Sequence, residues 1–327
     1  MPTFNIITVG AATQDVFVKS KKFEEMRDPH APDGLDACVP LGSKIDVDDL
    51  IFSTGGGATN SAVTFARLGF KTACISRIGQ DPVGEMVLSE LKKEKIATVG
   101  IEQDGKLKTG YSIIFLSGSG HRAILTHRGA AAEIKASALA NGTINTPWIY
   151  LTSLNGNLSS LKTIFSSAKR KRTSVAWNPG HRELELGIKK LRPWLEHTSI
   201  LILNREEAAL LTEQSPRHLE SIFKILQPFL FDALVITDGQ RGAYVSNGKN
   251  ILFAPALKAK RINTTGAGDA FGSAFTAALI KERSIEDAVK IAMLNATGVI
   301  THMGAKAGIL KKWPTRNELN KVKIKKL

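Results

Sequence analysis

The chain has 327 residues, 43% of them hydrophobic and 23% charged, so it is long enough to bury a sizeable core. Its two cysteines, Cys38 and Cys74, are too few for a disulfide framework and do not form a zinc-site pattern. No apolar run approaches the roughly 20 residues that span a bilayer, and no charged and then apolar leader precedes the first predicted strand. These features predict a cytoplasmic protein without a membrane-spanning segment.

The formal net charge of +14 raises the alternative of a nucleic-acid-associated protein. The basic residues form two clusters, one at residues 169–172 and one in the tail at Lys321, Lys323, Lys325 and Lys326. The first cluster ends a predicted helix over 158–168, where cations are favourable, and no nucleic-acid-binding motif accompanies either cluster. We therefore expect a solvated basic surface and no nucleic-acid partner.

Short apolar segments predict strands that alternate with helical patterns along much of the chain. The predicted strands are residues 6–9, 73–76, 148–151, 174–177, 200–203 and 233–237. Such alternation predicts an α/β fold with a mostly parallel sheet and helices on both faces. The ligand crevice is expected at the carboxyl ends of the strands.

A first glycine cluster, residues 55–57, precedes an amphipathic helical pattern at 63–68 that Gly69 is suited to end. A loop at 79–85 then leads into another predicted helix. Two segments fall outside the alternation of strands and helices, residues 16–52 and 109–128. Within the second, 111–116 and 121–126 predict a hairpin around a Ser-Gly-Ser-Gly turn.

A second glycine cluster, within residues 263–271, joins a flexible turn to a carboxylate where a helix is predicted to begin. The backbone N–H groups of Gly266, Ala267 and Gly268 would point from a helix N-terminus, a position that favours an anion. Asp269 would lie in the first helical turn, beside a bound phosphate, where it could take a proton from an attacking hydroxyl. The alternative is an acidic first-turn residue after a glycine turn.

Other sites of nucleotide binding or hydrolysis match poorly. A phosphate-binding P-loop needs Gly-Lys-Ser or Gly-Lys-Thr, but the two Gly-Lys pairs are followed by Leu107 and Asn250. The triplet at 55–57 lacks the spacing of a dinucleotide fingerprint. The match to a hydrolase nucleophile elbow at 118–120 lies in the predicted hairpin instead of a strand-to-helix turn.

At this point the chain resembles the ribokinase family of carbohydrate and nucleoside kinases, also called the PfkB family. Residues 55–85 resemble its N-terminal signature and residues 263–271 its C-terminal one. Smaller matches lie at residues 10–15, 178–180, 204–207, 237–242 and 304–305. The resemblance implies one ribokinase-like three-layer α/β domain over 1–327, with a small β lid from about 16–52 and 109–128. A homodimer formed through that lid is left open.

The resemblance also implies roles on the substrate side. Asp269 matches the family's catalytic base, and Gly266, Ala267 and Gly268 match its anion hole. The residues that match the substrate-binding set are Asp15, Gly56, Gly57, Asn60 and Asn178.

On the nucleotide side, the resemblance implies ATP and Mg²⁺ as cofactors. Glu207 matches a residue associated with hydrated Mg²⁺, a cation that keeps several waters and needs few protein ligands. The residues that match nucleotide-binding positions are Asn204, Thr237, Gly239, Gly242 and Asn295. An Asn cap on an acidic first helical turn is the structural alternative for Asn204 and Glu207.

Several departures from the family pattern leave the substrate open. Asn263 stands where many members have Asp near a monovalent-cation site, so potassium dependence is uncertain, and Asp238 replaces a commonly apolar residue. Residues 150–153 lack the sugar-binding Glu of ribokinase itself, and residues 178–181 also resemble a segment of some nucleoside kinases. We expect an ATP-dependent kinase for a primary hydroxyl of a sugar. The alternatives are a nucleoside kinase, with a base pocket from Phe17 or Phe115, and a nucleotide-binding protein without activity.

Overall fold

The computed structural model describes residues 3–30, 34–117, 122–142, 144–229 and 231–327. The strands in chain order are β1 (Ile6–Val9), β2 (Thr13–Lys19), β3 (Glu24–Arg27), β4 (Leu35–Cys38), β5 (Asp49–Gly55), β6 (Thr72–Gly79), β7 (Ala97–Asp104), β8 (Gly110–Leu116), β9 (Arg122–His127), β10 (Trp148–Leu151), β11 (Ser174–Trp177), β12 (Ile200–Asn204), β13 (Ala233–Thr237), β14 (Ala243–Ser246), β15 (Ile251–Ala254) and β16 (Lys325–Lys326). The helices are α1 (Gly57–Arg67), α2 (Pro82–Lys93), α3 (Ser137–Ala140), α4 (Leu158–Lys171), α5 (His181–Leu184), α6 (Gly187–Leu195), α7 (Arg205–Thr212), α8 (Leu219–Leu226), α9 (Ala267–Ile280), α10 (Ile285–Ile300) and α11 (Arg316–Leu319).

The central sheet has the strand order β16-β15-β14-β13-β12-β11-β10-β1-β6-β7 among the described residues. The strands from β13 to β7 are parallel, whereas β14, β15 and β16 pair antiparallel at one edge. All six predicted strands are confirmed as β1, β6, β10, β11, β12 and β13. The α/β class with a mostly parallel sheet is therefore confirmed.

Alternating side chains of the sheet enter hydrophobic cores on its two opposite faces, which explains why helices cover both faces. Ile7, Ile149 and Trp177 belong to the core formed with α4, α7 and α8. Ile6 and Tyr150 belong to the opposite core, with α1, α9 and α10. The strands read as continuous apolar runs because both of their faces are buried.

A smaller sheet, β5-β2-β8-β9, stands apart from the central sheet. In it, β2 pairs antiparallel with β5 and parallel with β8, and β8 pairs antiparallel with β9. Strands β3 and β4 form a separate hairpin. The smaller sheet extends to Thr13 and Gly55, past the segment 16–52 expected from the sequence, so it begins directly beside the carboxyl end of β1. The turn residues 118–121 of the predicted hairpin lie outside the described residues.

The loop at 79–85 joins this smaller sheet to α2. Asp81 caps α2 by accepting from the N–H of Gly84, and its other oxygen accepts from the N–H of Thr109, just before β8. Burial alone would raise the pKa of Asp81, but these hydrogen bonds hold it below the ordinary value. The second half of the N-terminal signature thus has a structural role, because Asp81 connects α2 to the start of β8.

Candidate active site

A cavity of about 170 Å³ opens at the carboxyl ends of β12 and β13, opposite the start of α9. It is lined by Asn178, Ile202, Leu203, Asn204, Glu207, Thr237, Gly266, Gly268 and Asp269. These residues come from chain segments that the sequence singled out separately. The structure therefore brings together the predicted base, part of the predicted anion hole, the predicted metal ligand and two predicted nucleotide contacts.

Asp269 lies in the first turn of α9 and is held from the other side of the site by Asn60 on α1. Asn60 Nδ2 donates to Asp269 Oδ2 at 2.8 Å, across 209 residues of sequence. Burial raises the pKa of Asp269, the hydrogen bond from Asn60 lowers it, and the charge of Asp15 raises it further. The net shift is upward. A carboxylate with a raised pKa is a stronger base than an ordinary one. In the part of the chain that the structure describes, only Oδ2 has a hydrogen-bond partner, so Oδ1 can accept from a substrate hydroxyl.

The loop before Asp269 has the form of an anion-binding turn. Gly266 caps α9 with φ 79°, a left-handed conformation that favours glycine, and a side chain there would meet Ala305. Among the described residues, apart from its chain neighbours and the backbone of its own helix, no atom lies within 4 Å of where a side chain at Gly268 would begin. The Ala267 N–H donates to Thr264 O at 3.3 Å, so this donor is already shared with the turn. The helix N-terminus remains suited to a phosphate.

The predicted substrate side lies at the end of the smaller sheet beside the carboxyl end of β1, where β2 begins and β5 ends. Asp15, buried with 6% exposure, sits under Gly55: a Cβ at that glycine would lie 2.1 Å from Asp15 Oδ2. Gly56 has φ 93°, and a Cβ there would lie 2.3 Å from Ala11 O. A Cβ at Gly57 would lie 2.9 Å from the side chain of Thr152. Burial raises the pKa of Asp15, against smaller lowering by Ser112 and Lys306. Because Gly55 has no side chain, the Asp15 carboxylate fits against it. Because Gly56 and Gly57 have none, their backbone lies close to Ala11 and Thr152.

Asn178 connects the two halves of the site. Its Nδ2 donates to Ile202 O at 2.9 Å, which fixes the side chain at the wall of the cavity. The amide oxygen is then the group that can accept from a ligand hydroxyl.

Asn204 and Glu207 form a reciprocal capping box on α7, so the structural alternative for this pair holds. Asn204 Oδ1 accepts from Glu207 N at 2.7 Å, and Glu207 Oε2 accepts from Asn204 N at 2.8 Å. Both residues also line the cavity, which leaves Asn204 Nδ2 and Glu207 Oε1 for a ligand. Burial raises the pKa of Glu207, and the charge of Asp269 adds to this. A nearby cation would reverse that shift.

The donor set at Glu207 fits Mg²⁺ that keeps most of its water. Among the described residues, no group of three or more His, Cys, Asp or Glu side chains could hold a metal ion directly. A single carboxylate in a polar cavity is enough for a cation that binds mainly through water and substrate phosphates.

Thr237, the last residue of β13, lies at the cavity wall with its hydroxyl 3.5 Å from Leu203 O, and the loop with Gly239 and Gly242 follows it. Gly242 has φ 122°, and a Cβ there would lie 2.0 Å from Ala254 O, so its role in the turn is structural. Gly239 has φ 51°, and a side chain there would meet no other part of the chain that the structure describes. Neither glycine lines the cavity described above.

Asp238, which stands where the family commonly has an apolar residue, does not face water. Its side chain is 2% exposed and binds Arg205 and Arg241. Burial alone would raise the pKa of Asp238, but the hydrogen bonds from the two arginines hold it below the ordinary value. The acid thus fixes the loop that follows β13.

Asn295 was predicted to contact the nucleotide, and the structure corrects this. The side chain is 0% exposed. Its Nδ2 donates to Ala270 O at 2.8 Å and to Thr64 Oγ1, and its Oδ1 accepts from Leu310 N at 2.8 Å. With every polar atom used inside the core, Asn295 ties α10 to α1 and α9 and has no group left for a ligand.

Two buried ionisable residues near the site carried no sequence signal. Glu183 is 0% exposed and accepts from the backbone of Leu154, Gly156 and Gly180 and from Ser153 Oγ, so it organises the segment after β10. Lys306 follows the small match at 304–305 and is 4% exposed. In a chain with 44 lysines and arginines, nothing local distinguishes one that is buried.

Known proteins are similar to this chain in sequence and in fold. The family model described as "pfkB family carbohydrate kinase" matches residues 30–312. A ribokinase of Schizosaccharomyces pombe is 27% identical over 93% of this chain and 94% of its own length. Fructokinase-1 of Oryza sativa is 26% identical over 82% of this chain and 87% of its own.

Two solved structures share the fold. An Arabidopsis thaliana ribokinase complexed with ribose and ATP has a TM-score of 0.76, with 19% identity and 98% coverage of both chains. A Burkholderia thailandensis nucleoside kinase in complex with inosine also has a TM-score of 0.76, with 18% identity and 96% coverage of both.

No helix in the described part of the chain is long and apolar enough to cross a membrane.

Proposed function

Because the chain belongs to the pfkB family of carbohydrate kinases and is an ATP-dependent sugar or nucleoside kinase, we propose that it phosphorylates a primary hydroxyl of a free sugar. The observation that carries this proposal is the hydrogen bond between Asn60 and Asp269. It holds a half-buried carboxylate at a helix N-terminus, in one cavity with Asn204 and Glu207.

In the proposed reaction, Asp269 accepts the proton of the hydroxyl as its oxygen attacks the γ-phosphorus and the bond to the β,γ-bridging oxygen breaks. The N–H groups at the start of α9 stabilise the negative charge on the transferring group. Glu207 would hold Mg²⁺ through water, and the cation would neutralise charge on the phosphates. Asn204 and Thr237 contact the nucleotide.

Asp15, Asn178 and the backbone at Gly56 and Gly57 bind the sugar hydroxyls in this proposal. The burial of Asp15 supports it, because a buried carboxylate needs hydrogen-bond donors and sugar hydroxyls supply them. The smaller sheet is proposed to act as a lid that excludes water, a competing phosphoryl acceptor.

The residues expected to form a base pocket favour a free sugar over a nucleoside. Phe17 is 1% exposed and contributes to a core, so it offers no face to a base. Phe115 packs edge to face against Phe23, with ring centroids 5.3 Å apart. Phe17 is thus closed to a base, and Phe115 already makes an aromatic contact with Phe23.

The test is an assay of ATP consumption with a panel of pentoses, hexoses and nucleosides. We expect a free sugar to give the highest kcat/KM. The analogue of that sugar lacking the secondary hydroxyl bound by Asp15 should lose on the order of 100-fold in kcat/KM. Phosphorylation of adenosine, inosine or cytidine at least about 100-fold more efficiently than any free sugar would establish the nucleoside kinase instead.

The outer strands of the smaller sheet support a homodimer as the assembly in this proposal. Leu50 and Phe52 on β5 are 47% and 56% exposed, and Leu125 on β9 is 59% exposed. An edge strand with exposed apolar side chains is a template for pairing. Sedimentation velocity should give a dimer for the native chain and a monomer for Phe52→Lys, and a monomeric native chain would refute this assembly.

A further inference from the structure

Lys306 is a buried cation close to the site that the proposed reaction does not use. It follows α10 in the chain and lies between β5 and α2. Its Nζ donates to Thr54 Oγ1 and forms an ion pair with Glu90 Oε2 at 3.1 Å. The Lys306 side chain is 5% exposed, whereas that of Glu90 is 31% exposed. A lysine in such a place is costly unless its charge has a purpose or a partner.

The anchor on Thr54 puts Lys306 next to the predicted sugar-binding carboxylate. Thr54 precedes Gly55, and Gly55 is the residue whose missing side chain makes room for Asp15 Oδ2. Across the smaller sheet, Thr54 pairs with Gln14 and the adjacent Ser53 pairs with Asp15. The ammonium group therefore holds the end of β5 against Asp15.

The surroundings of Lys306 are rich in acidic groups. Glu90 on α2 pairs with it, and Glu94 just after α2, Asp15 on β2, Cys74 on β6 and Asp269 on α9 interact with its charge. Arg67 on α1 donates to the backbone carbonyl of Lys306 at 3.0 Å and pairs with Glu94. Asp15 and Asp269 each raise the other's cost of ionisation, and a triphosphate would add to it.

We propose that Lys306 is a positioning residue that anchors the end of β5 and supplies the positive charge that lets Asp15 and Asp269 be ionised together. This inference rests on the proposed function for its catalytic consequence. With both carboxylates charged, Asp15 accepts hydrogen bonds from the sugar and Asp269 accepts the proton. Lys306 itself touches neither the sugar nor the phosphate in this account.

Loss of Lys306 and loss of Glu90 should shift the pH profile of kcat/KM in opposite directions, at its acid and its alkaline limb respectively. The charge of Lys306 lowers the pKa of Asp15 and of Asp269, so its removal raises both and the acid limb of kcat/KM moves to higher pH. Burial lowers the pKa of Lys306 itself, and Glu90 raises it. Loss of Glu90 therefore brings the deprotonation of Lys306, and with it the alkaline limb, to lower pH.

The test compares Lys306→Met with Glu90→Gln. In Lys306→Met, the midpoint of the acid limb of kcat/KM should move up by about one pH unit, which is the smallest shift expected when a neighbouring opposite charge is removed. The KM for the sugar should rise and the KM for ATP should stay unchanged. In Glu90→Gln the acid limb should not rise and the alkaline limb should fall. Lys306→Arg, which keeps the charge, should restore the acid limb. A purely structural role predicts that the Met and Gln variants lose activity alike at every pH.

A second readout does not depend on activity. The Asp15 carboxyl carbon can be titrated by NMR in the unliganded protein, with Asp15→Asn to assign the signal. Its midpoint should rise by about one pH unit in Lys306→Met. An unmoved midpoint overturns the proposal. If Lys306→Met does not fold, an alkaline limb that stays in place in Glu90→Gln overturns it equally. A native chain that phosphorylates no sugar or nucleoside would refute the proposed function, while the titration would still decide the role of Lys306.

Discussion

Asn60 Nδ2 lies 2.8 Å from Asp269 Oδ2, and this contact joins the two glycine-rich motifs of the chain. Each residue lies in the first turn of a helix that follows a glycine: Asn60 on α1 after Gly56, and Asp269 on α9 after Gly266. Helices α1 and α9 pack against each other beside the sheet, which fixes the distance between them. One amide thereby orients the carboxylate and lowers its pKa against the effect of burial.

Asn60→Ala tests this relationship directly. Loss of the hydrogen bond raises the pKa of Asp269, so the base becomes protonated at a higher pH. We expect the acid limb of the kcat profile to move up by about one pH unit. At its optimum, kcat should fall by about tenfold, which corresponds to about 1.4 kcal/mol. The exposed Asn247→Ala serves as a matched control and should keep the native profile. A native acid limb in Asn60→Ala contradicts the assigned role.

Asn263 leads to a prediction about monovalent cations. Its Oδ1 accepts from Thr265 N at 3.0 Å, and its Nδ2 is buried without a hydrogen-bond partner among the described residues. An amide group adds no negative charge to a cation site, so activity in sodium buffer should stay close to that in potassium buffer. Activation of the native chain by potassium of tenfold or more would contradict this argument.

Asp238 should contribute to stability instead of chemistry. Asp238→Asn leaves Arg205, whose side chain is 14% exposed, without its charged partner. We expect the free energy of unfolding at pH 7 to fall by about 3 kcal/mol, the lower end for a buried ion pair that loses one member. Because the folded pKa of Asp238 is lowered, its contribution is complete above the unfolded value, about 3.9, and is lost as pH falls through the folded value.

Urea unfolding at pH 7 and at pH 3 measures this difference. The gap between the native chain and Asp238→Asn should narrow at the lower pH. Asp232→Asn, at an exposed position, is the control and should change stability by less than about 0.5 kcal/mol. If Asp238→Asn were as stable as the native chain, the ion pairs of Asp238 would not contribute to the free energy of unfolding.

The parts of the fold that could be predicted from sequence are those with a local signal. Buried parallel strands such as β12 and β13 are continuous apolar runs, and the glycines before Asp269 mark a helix start. Strand β7 was missed because its side chains are mostly half-buried and mixed in character. The burial of Lys306 and Asp238 depends on partners distant in the chain, Glu90 and Arg205, which no local pattern reveals.

Asn295 also shows that residue type and position on a helix do not reveal how a side chain is packed. Its type and its place on a helix are compatible with either a ligand contact or a solvent-facing position. The structure puts it in neither, because its hydrogen bonds to Ala270, Thr64 and Leu310 close a gap between three chain segments. Packing of that kind appears only when the helices are assembled.

The kinetics of Asp269→Asn test the central claim most directly, because this substitution keeps the shape of the side chain and removes its basicity. With the best substrate from the panel, kcat should fall at least about 100-fold, the lower range for positioned proton transfer. The affinity for ATP, measured by calorimetry, should stay within a few-fold of the native value. Near-native turnover in Asp269→Asn would contradict the assignment of Asp269 as the catalytic base.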